Sequence, residues 1–277
     1  MRVASILSAL VLVGCAATED DLDDGFEELE GLDTGKGDDP AAWTSVGFGV
    51  AYQQVTAGPG VLIAYGGYSA KLSYSAAWAT ELVDAKLGGV DVGHVYAVKG
   101  PQDAGYGARE IGNSKLRAHL LALGDSDVPI YIVAHSSGSF VAHELLGQLH
   151  RAGDDATLSR IAYANLDGGG SGLTQRIAES LGALAFVYAQ DPTLGSGLSQ
   201  NSGSAIALGA AYAMHGSAHK VVVPNTGCAS GAGWCLHDVV ITHRPHNRFS
   251  YDLARDYTDF VNRPVTTEYL DALIPSP

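Results

Sequence analysis

The sequence of 277 residues predicts an α/β fold: a mostly parallel central sheet with helices on both faces and a helical cover segment. Three observations carry this expectation. Short apolar, β-branched runs recur at residues 60–65, 94–98, 128–134, 161–166 and 220–224. Most of the stretches between them place apolar residues at helical spacing. The runs at 60–65, 128–134 and 161–166 each end in small or Gly-rich turns. Strand, helix and strand in alternation give parallel pairs with right-handed crossovers. At 46% hydrophobic residues the chain can fill one large core.

Taken in order, residues 43–55 mix Gly with apolar residues and predict one or two edge strands. The strand at 60–65 stops at Gly66-Gly67-Tyr68-Ser69. A helix is expected over about 71–87, with Leu72, Trp78, Leu82 and Val83 inward and Gly88-Gly89 as its stop. The next helix is expected at 113–123, ended by Gly124. After Asp167-Gly168-Gly169-Gly170 the rhythm breaks. Residues 173–189 read as helical and strongly apolar, and 191–217 are rich in Gly, Ser and Ala. Residues 173–214 are therefore a candidate cover, with packing helices as the alternative. A last strand at 220–224 precedes the Cys loop, an apolar stretch at 236–242 and a helix near 253–261.

The stretch 128–148 concentrates the chemistry. Its strand runs into Ala134-His135-Ser136-Ser137-Gly138, and a helix follows with Phe140, Val141, Leu145, Leu146 and Leu149 at apolar positions. The turn is close to G-x-S-x-G. Small residues flank the bend because a strand turning abruptly into a helix crowds them, while the apex residue is held strained and exposed at a helix N-terminus. Ser136 occupies that apex and is the candidate nucleophile. A Ser-rich loop capping a helix is the plainer reading.

A serine hydroxyl needs a base to take its proton and a carboxylate to orient the base, here in the order Ser, acid, His. Asp167 follows a strand directly, with Asp191 and Asp238 as weaker candidates. His237, His243 and His246 all lie late enough to be the base. Ligands in parallel sheets bind at the strands' carboxyl ends, and Gly67-Tyr68, Ser136 and Asp167 all follow such ends.

Asn165-Leu166-Asp167-Gly168, Cys235-Leu236-His237 and Ile63 to Tyr68 resemble the corresponding motifs of pancreatic-type lipases, within the α/β-hydrolase superfamily. The resemblance covers about residues 60–240. It departs at Ala134, at Gly66 in place of His, and in lacking Pro after Asp167. It implies His237 as base, Asp167 as acid, and the backbone amides of Tyr68 and Ser137 as oxyanion donors. The segment from Cys235 to His246 also resembles cutinases, which implies His246 as the alternative base. In both cases the implied activity is hydrolysis of carboxylic esters, lipase- or esterase-like. His135 is then a packing or pocket residue. A non-catalytic surface binding protein on the same scaffold is the reading from a different class.

At the N-terminus Arg2 precedes an apolar run at 3–13, too short to span a bilayer as a stable helix. Leu12-Val13-Gly14-Cys15 resembles the lipobox of bacterial lipoproteins. That resemblance implies cleavage after residue 14, a lipid on Cys15, attachment to a membrane, and an outer-membrane or cell-surface location; an ordinary secretory signal cut nearby is the alternative. Residues 15–39 then form a spacer. Between Glu19 and Asp39 stand eleven acids and one Lys, a composition expected to stay disordered. The domain at 40–277 carries 19 acids and 14 Lys or Arg, net −5 of the formal −14. No basic face for nucleic acid is indicated. In an oxidising compartment Cys228 and Cys235 are expected to pair, shaping their short loop. His215 with His219, and His243 with His246, lack further ligands for a metal site. No phosphate or dinucleotide fingerprint is present, so no cofactor is expected.

Overall fold

The computed structural model describes residues 43–68, 70–84, 92–101, 107–123, 128–170, 172–190 and 219–224. Eight strands form one sheet: β1 (Thr44–Ser45), β2 (Val50–Gln54), β3 (Gly60–Tyr65), β4 (Val92–Val98), β5 (Ile130–His135), β6 (Ile161–Leu166), β7 (Ala183–Gln190) and β8 (His219–Pro224). Their order is β1-β2-β4-β3-β5-β6-β7-β8. From β4 to β8 every neighbouring pair is parallel, while β2 runs antiparallel to both β1 and β4. The described helices are α1 (Leu72–Asp84), α2 (Gly107–Ala122), α3 (Gly138–Arg151), α4 (Asp155–Leu158) and α5 (Gln175–Ser180).

β3 and β5 are buried along their whole length, as strands covered on both faces must be. That is why their sequences are continuous apolar runs without alternation. The amphipathic helix α3 buries Val141, Ala142, Leu145, Leu146 and Leu149 against the sheet. They join Ile63, Ile132, Tyr163 and Phe186 in one core. Each such aliphatic or aromatic side chain contributes roughly 1.5–3 kcal/mol by leaving water. Asn113 fastens α2 into this core. Its Oδ1 accepts from the Tyr65 hydroxyl at 2.9 Å, and its Nδ2 donates to the Val141 carbonyl at 2.7 Å. Burial holds the Tyr65 phenol well above its usual pKa, so it remains a donor. Arg117 pairs with Asp154 at 2.6 Å, bracing α2 against the turn before α4.

Several expectations change. Helix α2 starts at Gly107, six residues before the expected start at 113. The stretch 173–189 is not one helix. Thr174 caps α5 by accepting from the Ile177 N–H, and the chain then turns extended at Leu181 and enters β7. A Cβ on Gly182 would overlap the Ser159 carbonyl, so the entry to β7 needs glycine. ALAFVYA is apolar on both faces because β7 lies between β6 and β8; a run of that kind has no period to separate strand from buried helix. Of the expected cover at 173–214, residues 175–190 are therefore α5 and an inner strand; 191–214 lie outside the described residues. The expected edge strand in 43–55 is two-residue β1, with β2 beside it.

Candidate active site

Three loops meet at the carboxyl ends of the adjacent strands β3, β5 and β6. The register pairs Tyr65 with Ala134, and His135 with Leu166. Extending it past the strand ends sets Gly67 beside Ser136 and Ser136 beside Asp167, across strands about 4.8 Å apart.

Ser136 sits at the bend between β5 and α3 with φ +54°, left-handed backbone that non-glycine residues rarely adopt. Holding it there costs on the order of 1–3 kcal/mol, supplied by the packing around it. Its N–H donates to the Leu166 carbonyl at 3.1 Å, and its carbonyl accepts from the Ser139 N–H at 3.1 Å. A Cβ on Gly138 would overlap the Gly66 carbonyl, which explains the small residue two places past the bend. A Cβ on Gly67 would lie 2.9 Å from His135 Nδ1 and 3.3 Å from Ser136 Cβ. The β3–α1 loop thus passes directly beside the bend. In consequence Ser136 is only 8% exposed, where an exposed apex was expected. The serine is buried where that loop passes over the bend.

Tyr68, on the same loop, is 59% exposed. The Gly67 carbonyl accepts from the Ala70 N–H at 3.0 Å, and the Gly66 N–H donates to the Val98 carbonyl at 3.0 Å, which fix the loop at both ends. Neither the Tyr68 N–H nor the Ser137 N–H has an acceptor among the described residues. Helix α3 likewise starts with no side chain capping it. Open amides at a helix start favour negative charge.

Asp167 is fully buried at the end of β6, with φ +46°. The turn that holds it is clamped by Asn165. Its Oδ1 accepts from the Gly168 N–H at 2.8 Å and its Nδ2 donates to the Gly169 carbonyl at 3.1 Å. Ser139 Oγ lies 2.7 Å from the Ser136 carbonyl and 3.2 Å from the Gly169 carbonyl. With one proton to donate, that hydroxyl serves mainly the nearer Ser136 carbonyl while sitting at the seam between the serine bend and the aspartate turn. A groove of about 830 Å³ runs beside α3, lined by Phe140, His143, Arg151 and Arg176 among others. None of Gly67, Tyr68, Ser136 or Asp167 lines it.

No protein-family model matches the sequence, and no curated protein sequence matches it. Solved structures do share its shape. An esterase from Pyrobaculum calidifontis matches with TM-score 0.50 at 10% identity, over 78% of this chain and 84% of its own. Carboxyl esterase 2 of Tuber melanosporum gives 0.48 at 10% identity, over 80% and 79%. A hormone-sensitive lipase from a metagenome library gives 0.45 at 14% identity, over 92% and 94%. The fold is that of the α/β-hydrolases. At such identity the likeness is one of fold.

On this α/β-hydrolase scaffold Tyr68, Ser136, Ser137 and Asp167 share one edge of the sheet. Cys15, Cys228, Cys235, His237 and His246 lie outside the described residues, as do Asp191, Asp238 and His243. Sequence reading missed Asn165 and Ser139. The available signal was a buried-strand run, Ile161 to Leu166, interrupted by one amide, and a serine in the first turn of a helix on an otherwise apolar face.

Proposed function

We infer that the protein is a serine-dependent hydrolase of carboxylic esters, lipase- or esterase-like. The observation that carries this reading is the left-handed Ser136 at the β5–α3 bend, held beside the Gly67–Tyr68 loop. Strain of this kind at a strand-to-helix turn is what aims a serine hydroxyl at a substrate carbonyl. Ser136 Oγ attacks the acyl carbon while His237 takes its proton, and Asp167 orients the imidazole. The Tyr68 and Ser137 amides stabilise the developing oxyanion. His237 then protonates the departing alkoxide, water takes its place, and the acyl-enzyme is hydrolysed to the carboxylate. The choice of His237 rests on its place after Cys235, with His246 as the competing base. The Pyrobaculum calidifontis structure of the same fold is an esterase, in keeping with an ester substrate. Export with a lipid on Cys15 and display at the cell surface are part of the same proposal, resting on Leu12-Val13-Gly14-Cys15.

The test uses the full chain with a chromogenic short-chain ester and a fluorophosphonate probe. Turnover and labelling should both vanish in Ser136→Ala. His237→Ala should lower turnover by three or more orders of magnitude, roughly the loss expected for a missing triad base. Labelling that persists without Ser136 sinks the assignment of the nucleophile. Loss confined to His246→Ala moves the base to His246. A folded chain with neither labelling nor turnover leaves a binding protein on this scaffold.

A further inference from the structure

We propose that Asn165 and Ser139 form a brace that sets the Asp167 carboxyl group relative to the Ser136 bend, and that both are positioning residues of the hydrolytic site. This rests on the reading of Ser136 and Asp167 given above. Asn165 and Ser139 are fully buried polar residues inside an apolar core, a costly placement unless each polar atom is used. Asn165 uses both ends of its amide on the turn that follows Asp167, gripping the Gly168 N–H and the Gly169 carbonyl. It cannot leave that turn without leaving a buried donor and a buried acceptor unpaired. The Ser139 hydroxyl, with one proton, lies between the Ser136 and Gly169 carbonyls and favours the nearer, at 2.7 Å. A third link is the Ser136 N–H on the Leu166 carbonyl, one residue before Asp167. Gly168 completes the contact. A Cβ there would lie 2.5 Å from both Asn165 Oδ1 and Ser139 Oγ, so no side chain can separate the two loops.

The left-handed backbone at both Ser136 and Asp167 gives this brace its purpose. Each conformation relaxes unless its surroundings over-determine it. The Ser136 N–H bond to Leu166 and the close packing of Gly168 on Ser139 tie the two bends together, so nucleophile and acid are fixed as one unit, not as two independent loops. Errors of about 1 Å in such constellations cost up to about a hundredfold in rate.

The experiment compares Ser139→Ala, Asn165→Ala and the double variant in the full chain, with turnover counted per fluorophosphonate-titrated site. Each single variant should lower kcat by about ten- to hundredfold with KM within about twofold. The acidic limb of the kcat/KM profile should move to lower pH, because a displaced carboxylate stabilises the imidazolium less. The double variant should be little slower than the slower single, since both act through one turn. A loss of melting temperature or of titratable sites alone, with per-site kcat and the acidic limb unchanged, overturns the brace. Should Asn165→Ala not fold, Ser139→Ala decides by the same readouts. Ser136→Ala separates the two levels. If it abolishes labelling while the brace variants behave as wild type, only the brace falls; if the parent never labels, both fall.

Discussion

Ser136 was legible because its neighbours are small for a steric reason. Ala134 and Gly138 are the residues the bend crowds, and Gly138 has the Gly66 carbonyl where its Cβ would be. Neither partner in that clash is the free end of a side chain; both are backbone. Gly138→Ala should therefore cost about 1–3 kcal/mol in a urea titration and remove probe labelling even where the chain still folds. An alanine variant with unchanged midpoint and labelling would show that the bend has slack. Asn165 and Ser139 left no such trace. Their roles depend on which loop stands opposite, and that is fixed by sheet order, which residue spacing does not encode.

Among the elements, strands bounded by turn residues and helices with one apolar face were readable, while β7 was not. Its first seven residues, Ala183 to Ala189, are apolar or aromatic without alternation, and only the sheet around it makes it a strand. A second feature visible only in three dimensions is the ring cluster joining β2, β4 and α2. The Tyr52 hydroxyl lies 2.8 Å from His94 Nδ1, and the Tyr96 hydroxyl 2.6 Å from His119 Nδ1. Tyr52 also stacks on His94 and meets His119 edge-on at 4.8 Å. Burial, and then the nearby His119, holds the His94 imidazole below its usual pKa. The unfolded chain thus takes up this proton first as pH falls. Stability from His94 is intact above about pH 6.5 and declines as pH drops from there toward the folded value. Urea midpoints of His94→Gln should fall less than those of the parent between about pH 7.5 and 5.5. Equal slopes would show that the pair of rings does not govern the acid limb.

At the scale of the whole molecule, the parallel sheet and the placing of Gly67, Ser136 and Asp167 past its strand ends follow from strand–helix alternation alone. The antiparallel β1–β2 flap does not, because nothing in 43–55 says which way the chain enters the sheet. The charge distribution gives a sharper division. Residues 40–277 carry net −5, and the eleven acids between Glu19 and Asp39 account for most of the total −14. The sheet begins at Thr44, with Trp43 already buried against it. A segment so charged and so poor in apolar residues cannot gain enough by burial to offset its ordering entropy, so it should contribute nothing to the core. Two variants separate tether from domain. On the proposal that a lipid on Cys15 anchors the chain, Cys15→Ser should shift the protein from the membrane fraction to the soluble fraction and abolish fatty-acid labelling. Removal of residues 1–39 should do the same while leaving the melting temperature within about 2 °C, and turnover per titrated site unchanged, since less than about 1 kcal/mol would have been lost. A Cys15→Ser protein that stays membrane-bound would refute the anchor without touching the hydrolase. A truncated chain that melts several degrees lower would show instead that the acidic stretch packs on the domain, and its charge would then have to be read as part of the folded surface.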